Sequence, residues 1–420
     1  MSLNYIALVG VAFLIWLVLV VLFAPGLNYR VRARIGVDRP DFLHVLQSTC
    51  QTRLTAGNRV EVLSDGERFY PAMLGAIREA ERSINLECYI FQSGRVADMF
   101  VSALAERAGA GVIVTIVVDA IGSAMLGRAD RRRLIEAGCR LERYQPLTWY
   151  RLARLNNRTH RELLIIDGRV AFLGGAGIAD WWHREYASRQ PAWRDTMVRV
   201  EGPVVAFLQG VFAENWLECC GEIITGDEFF PTLESAGETT ACVIRSSPAD
   251  RATVSRVAFQ MLLEGALRHV RIVTPYFLPD RSLRKALTSI ARRGTRIDLL
   301  VPGPRTDQRW VRIASRRNYG RLLEAGIRIF EYRPSMTHAK VLIIDHDWSV
   351  VGTTNVDNRS FEHNDEINVA MLDRAIAERL LEDFERDLQS ATEITLARWR
   401  ARPWWEKLIG PVVWILERQQ

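Results

Sequence analysis

The sequence predicts an α/β protein, two pseudo-symmetric domains following one N-terminal transmembrane helix. Three observations carry this: an uncharged apolar stretch at Tyr5–Ala24, a pattern of strands and helices that occurs twice, and a turn-rich, non-periodic stretch between the copies, Glu222–Thr240. The 420 residues, 48% hydrophobic and 25% charged, exclude a disordered, collagen-like or polytopic membrane chain. The formal charge of +6 suits anionic partners, lipid headgroups or nucleic acid, without choosing between them.

In chain order, Tyr5–Ala24 is about long enough to cross a ~30 Å hydrocarbon core as a helix. No Lys or Arg precedes it, which argues against a cleaved signal peptide. Arg30, Arg32 and Arg34 follow it, so the positive-inside rule places the body in the cytoplasm, at an inner (cytoplasmic) membrane. The expected units are an anchor at 1–29, a juxtamembrane linker at 30–55, domains at 56–235 and 236–397, and a Trp/Arg-rich tail at 398–420. That tail carries Trp399, Trp404, Trp405 and Trp414 among cations, suited either to lying in a membrane surface or to docking on the body. The six cysteines show no zinc-ligand spacing and read as free thiols in a reducing compartment.

Within each copy an amphipathic helix pattern (AMLGAIREAER, FQMLLEGALR) precedes a strand pattern (SINLECYIF, HVRIVTPYF). A second strand follows (GVIVTIVVD, GTRIDLLVP), then a third (AGCRLERYQP, AGIRIFEYRP). Each copy then reaches a His, an apolar strand, an Asp and a Gly-rich turn.

The second copy of that segment reads THAKVLIIDHDWSVVGTTN, Thr337 to Asn355. If the strand extends back through the motif, His338 and Lys340, two residues apart, share a face. Lys340 is one of only three lysines, beside Lys285 and Lys407, in a chain that writes almost every cation as Arg. Imidazole, ammonium and the amide of Asn355 together suit a phosphodiester: cation and amide hold the oxygens while imidazole attacks phosphorus or donates a proton. The first copy, THRELLIIDGRVAFLGGAG, repeats His160, Asp167 and Gly174 at the same seven-residue spacing. It differs at two positions: Glu162 stands where the second copy has Lys340, and Gly177 where it has Asn355.

The duplicated motif resembles H-x-K-x4-D-x6-G-S/T-x-N of the phospholipase D superfamily, and within it the chain is most similar to bacterial cardiolipin synthases. The likeness runs from about Gly57 to Leu388 and includes ECYIF, PAWRDTMVRVEGP, TPYFLPD and NVDNRSFEHNDEINV. The resemblance implies two phospholipase D-like domains, each a mixed β-sheet flanked by helices. It implies a phosphatidyltransferase that joins two phosphatidylglycerols into cardiolipin, releases glycerol, and needs neither cofactor nor metal. It names His160, His338, Lys340, Asp345 and Asp167 as catalytic, with Lys340, Asn355 and Thr353 on the substrate phosphate. His160 is implied as the nucleophile that forms a phosphohistidine, and His338 as the acid and base. Asp195 and Glu366 are candidates to orient the imidazoles, in either pairing.

An ionised Glu162 about 4 Å from a phosphate would cost about 4 kcal/mol at an effective dielectric of ~20. Arg158, Arg161 or Arg194 could neutralise it, Gly177 could offer an N–H in place of the missing amide, or Glu162 could accept a hydrogen bond from the acceptor lipid. Two rival functions share these residues: a phospholipase D-type hydrolase, and a catalytically degenerate lipid-binding member. A nuclease is disfavoured, because outside the tail no basic tract with interleaved aromatics occurs.

Overall fold

In the computed structural model, which describes residues 5, 8–13, 16, 27–146, 156–187, 191–248 and 253–407, the sequence repeat becomes a mirrored sheet. The first half contains α1 (Pro40–Cys50), β1 (Thr55–Ser64), α2 (Gly66–Glu79), β2 (Ser83–Cys88), α3 (Arg95–Gly109), β3 (Ile113–Asp119), α4 (Arg128–Glu136), β4 (Arg140–Tyr144), β5 (Arg158–Thr159), β6 (Glu162–Ile166), β7 (Val170–Gly174), β8 (Thr196–Glu201) and α5 (Val205–Cys220). The second contains β9 (Thr239–Ser246), α6 (Val254–Gly265), β10 (His269–Val273), β11 (Phe277–Leu278), α7 (Arg281–Arg292), β12 (Arg296–Pro302), α8 (Arg309–Glu324), β13 (Arg328–Tyr332), β14 (Val341–Ile344), β15 (Trp348–Gly352), β16 (Val356–Asp357), α9 (Asn358–Glu362), β17 (Asn364–Leu372), α10 (Arg374–Gln389), β18 (Ala391–Glu393) and α11 (Leu396–Arg400).

The halves share one sheet. Among the described residues its order is β18-β13-β12-β10-β14-β15-β17-β9-β1-β8-β7-β6-β2-β3-β4, which reads the same from either side of the β9–β1 seam apart from β18. In each half the helix-linked strands run parallel (β2 with β3, β10 with β12) and the motif hairpins antiparallel (β6 with β7, β14 with β15). The sheet is therefore mixed.

Strands covered on both faces carry long apolar runs, and the motif strands show why. Leu164 and Ile166 point to the α2–α3 layer, Leu342 and Ile344 to the α6–α7–α8 layer, and the alternate residues Leu163, Ile165, Val341 and Ile343 all enter one core. That core takes Phe212 and Trp216 from α5 and Leu380 and Phe384 from α10, so both halves contribute to it.

One expectation about the N-terminal region changes. The juxtamembrane linker 30–55 contains α1, whose Phe42, Leu46 and Cys50, at helical spacing, pack into the second half's core. Among the described residues no helix is long and apolar enough to cross a membrane. Most of Tyr5–Ala24 lies outside them. Residues 408–420, with Trp414, also lie outside; the start of the tail is docked, Trp399 packing on Gly320 and donating through Nε1 to the Arg316 carbonyl at 2.6 Å. The cysteines are free, four of them buried.

Candidate active site

The two motif histidines line one cleft of about 500 Å³. It opens where β2, β3, β10 and β12 end at their carboxyl termini, the end of an α/β sheet at which loops build sites. Tyr89, Trp193, Tyr276, Asn355 and Arg359 also line it.

The halves are cross-braced around it. β5, just before His160, pairs with β17 of the second half, and His160 N–H donates to the Asp365 carbonyl at 2.9 Å. Symmetrically, His338 N–H donates to the Arg194 carbonyl at 2.7 Å. The carboxylates cross in the same way. Glu366, from the second half, lies 3.1 Å from Nδ1 of His160; Asp195, from the first, lies 3.1 Å from Nδ1 of His338. Both carboxylates are fully buried and held by further donors: Asn364 Nδ2 and Thr353 Oγ1 on Glu366, Trp182 Nε1 (2.9 Å) and the Thr196 N–H (2.8 Å) on Asp195. With Nδ1 so engaged, Nε2 is the ring nitrogen that can meet a substrate; in His338 it lies 3.3 Å from Lys340 Nζ.

The environments of the two rings differ. His338 is buried between Trp182 and Trp193, with Lys340 Nζ 2.8 Å from its Nδ1. Burial, then the Lys340 charge, pull its pKa below the ordinary value against the opposing pull of Asp195. Burial would raise Asp195, but the His338 hydrogen bond and the Lys340 charge outweigh it and hold the carboxyl low. His160 keeps some solvent contact and meets Tyr89 edge-on at 4.9 Å.

Glu162 is buried, and none of Arg158, Arg161 and Arg194 pairs with it. Arg158 faces Asp119, Arg161 faces Glu87, Glu214 and Asp365, and Arg194 faces Asp65, Asp383 and Asp387. Instead Glu162 accepts from the Ile90 N–H at 3.0 Å, and burial pushes its pKa up to about 8 despite that bond and the Lys340 charge. A carboxyl that keeps its proton at pH 7 does not incur the repulsion expected of an anion. Gly177 leaves room for it: a Cβ there would sit 2.5 Å from the Ile90 carbonyl and 2.9 Å from Oε1 of Glu162.

The sign of this shift gives a test. Below about pH 4.5, the carboxyl's ordinary value, Glu162 is protonated folded or unfolded; from there to about 8 the folded chain holds the proton more tightly, so stability falls as pH rises. Glu162→Gln has no such proton, so the gain in its Tm over wild type is expected to widen from pH 5 to pH 8. Parallel Tm curves would contradict the buried proton.

Three expected site residues have other work. Asp167 and Asp345 occupy the β6–β7 and β14–β15 turns at positive φ, about 20 Å of strand away from the histidines. Asp167 accepts from the N–H groups of Glu81, Arg82 and Ser83, and Asp345 from those of Leu267, Arg268 and His269. They fasten the amino ends of β2 and β10 and do not line the cleft. Asp345→Asn is expected to lower stability by about 1–3 kcal/mol with kcat of the folded enzyme unchanged, read by thermal unfolding and turnover. Thr353 faces Glu366 rather than a phosphate. Asn355 does line the cleft, with a buried Oδ1 that has no partner among the described residues.

Sequence reasoning missed Tyr89, Trp182, Trp193 and Tyr276. All but Trp182 lie in segments that carried the family likeness, which was the available signal.

The mirrored fold and the paired imidazoles are those of the phospholipase D-like class. The family model described as cardiolipin synthase, PLD-like domain, matches residues 73–187 and 260–388. A probable cardiolipin synthase of Bacillus subtilis is 34% identical over 343 residues, 80% of this chain and 67% of its own. A cardiolipin synthase of Alkalihalophilus pseudofirmus is 33% identical over 389 residues, 91% of this chain and 76% of its own. Among solved structures, phosphatidylserine synthase of Haemophilus influenzae superposes with a TM-score of 0.72 at 13% identity, covering 90% of this chain and all of that one. The chain belongs to the cardiolipin synthase family of phospholipase D-like proteins.

Proposed function

We propose that the protein is a membrane-anchored phosphatidyltransferase that makes cardiolipin from two phosphatidylglycerols and releases glycerol. Family membership supports the reaction. The observation that carries the mechanism is the crossed bracing, which brings two oriented imidazoles with unlike surroundings to one cleft.

A nucleophilic imidazole must be neutral, and the surroundings of His338 favour that form. His338 therefore takes the nucleophile's role and His160 the acid's, the reverse of the assignment the resemblance implies. Nε2 of His338 attacks the phosphatidyl phosphorus; the bond to the headgroup glycerol oxygen breaks, and His160 gives that oxygen its proton. A hydroxyl of a second phosphatidylglycerol then returns a proton to His160 as its oxygen bonds to phosphorus, and the phosphorus–nitrogen bond breaks with its electron pair returning to Nε2. Lys340 and Asn355 offset charge on the phosphoryl oxygens, and Glu162 stays uncharged beneath them.

The anchor at Tyr5–Ala24 and the arginines after it support an inner-membrane location with the body on the cytoplasmic side. Detergent-solubilised protein given phosphatidylglycerol alone is expected to yield cardiolipin and glycerol by mass spectrometry. Phosphatidic acid as the main product would indicate the hydrolase, and no product with any phospholipid donor would favour the lipid-binding member.

A further inference from the structure

We propose that the cleft-bearing end of the body is itself a membrane-contact surface, a crown of loops that seats the cleft mouth in the lipid interface. The inference rests on the phosphatidyltransferase reading and adds to it the orientation of the body and the route of the substrate.

Four large apolar side chains stand out around the cleft mouth. Ile121 (45% exposed) and Trp181 (36%) line it, and Met125 (66%) and Trp310 (60%) lie just outside. They come from three separate segments: the loop after β3, the turn at Asp180–Trp182, and the first turn of α8. Arg128 and Arg309, both exposed, stand beside them. Exposed Trp and aliphatic side chains with flanking cations are what a lipid interface stabilises.

Both ends of the described body point to this surface. Tyr29, the fifth residue after the apolar stretch, lies under the Arg256 guanidinium at 4.5 Å. Arg256 pairs with Asp280 at 2.8 Å, and Asp280 caps the amino end of α7, two residues after Leu278 in the cleft wall. Tyr29 therefore lies at the cleft end. At the other terminus Trp399 packs on Gly320, and Glu406 pairs with Arg316 at 3.1 Å, one turn nearer the amino end of α8. That direction leads, about 9 Å further on, to Trp310, and the amino end of α8 forms part of the cleft through Gln308 and Val311. Continuity with the cleft, cations on its rim, and both ends of the described body pointing to it select a lipid bilayer as occupant. A diacyl lipid could then offer its headgroup to His160 and His338 with its chains still in the membrane.

The test uses full-length protein with Cys219 and Cys220 changed to serine and an environment-sensitive dye on Met125→Cys, Trp310→Cys or, at the opposite end, Asp347→Cys. With phosphatidylglycerol vesicles brominated in their acyl chains, the dyes at 125 and 310 are expected to be quenched and the dye at 347 not. Absence of quenching at 125 and 310, or equal quenching at 347, would overturn the proposal. In a second arm, Met125→Ser/Trp310→Ser is expected to lose roughly tenfold in turnover on vesicles and to keep wild-type turnover on short-chain phosphatidylglycerol dissolved as monomers. Equal losses on both substrates would also overturn it. Wild type making no product from either substrate would sink the transferase reading, while the dye result reports on the surface independently of turnover.

Discussion

His338→Gln is expected to lower cardiolipin formation by about 10⁴-fold or more and to leave no covalent adduct on the protein. The ring it replaces is the one whose pKa burial and Lys340 pull down, with Nδ1 near Asp195 and Nε2, beside Lys340 Nζ, available to phosphorus. His160→Gln is expected to cost a comparable factor with phosphatidylglycerol, for a different reason: the glycerol oxygen leaves without its proton. A substrate whose leaving group is a nitrophenolate needs no such proton, so it should restore adduct formation in His160→Gln and not in His338→Gln. The comparison is read by the burst of nitrophenolate; a burst in His338→Gln and none in His160→Gln would reverse the assignment.

The second large effect is expected at the crossed carboxylates. Asp195→Asn keeps the volume, but its amide can favour the wrong tautomer of His338, a change that costs about 10⁴ in kcat in a comparable imidazole–carboxylate pair. It also removes the anion that most favours the charged form of Lys340 and leaves Trp182 Nε1 beside an amide in place of a carboxylate. Glu366→Gln should act in the same way on His160. Because Asp195 serves the nucleophile and Glu366 the acid, the nitrophenyl substrate should rescue Glu366→Gln and leave Asp195→Asn slow. Rescue separates Glu366's work on its ring from a general loss of fold, which would slow both substrates alike; for Asp195→Asn an unchanged Tm makes the same separation.

The repeat made the architecture legible. Matching segments of the two copies, such as GVIVTIVVD and GTRIDLLVP, form β3 and β12, equivalent strands of a mirrored sheet. The common cleft of His160 and His338 followed from the same duplication. What the sequence withheld depends on which end of a strand faces the cleft and on contacts between the halves. Asp167 and Asp345 share the motif spacing, yet seven residues of extended chain carry them to the opposite end of the sheet. The pairing of His160 with Glu366 spans 206 residues and arises only where β5 meets β17. Glu162 was misread because an acidic residue was taken as an anion; its charge state depends on burial, which no local pattern reports. The helix Pro40–Cys50 was hidden by its place between the apolar stretch and the repeat, although Phe42, Leu46 and Cys50 already stood at helical spacing.

The most direct test of the central claim is to quench the enzyme with phosphatidylglycerol during turnover, digest it under alkaline conditions that preserve phosphohistidine, and map the phosphatidyl adduct by mass spectrometry. The account predicts the adduct on the peptide containing His338, and none in His338→Gln. An adduct on His160, or cardiolipin formed with no adduct on either histidine, would contradict it.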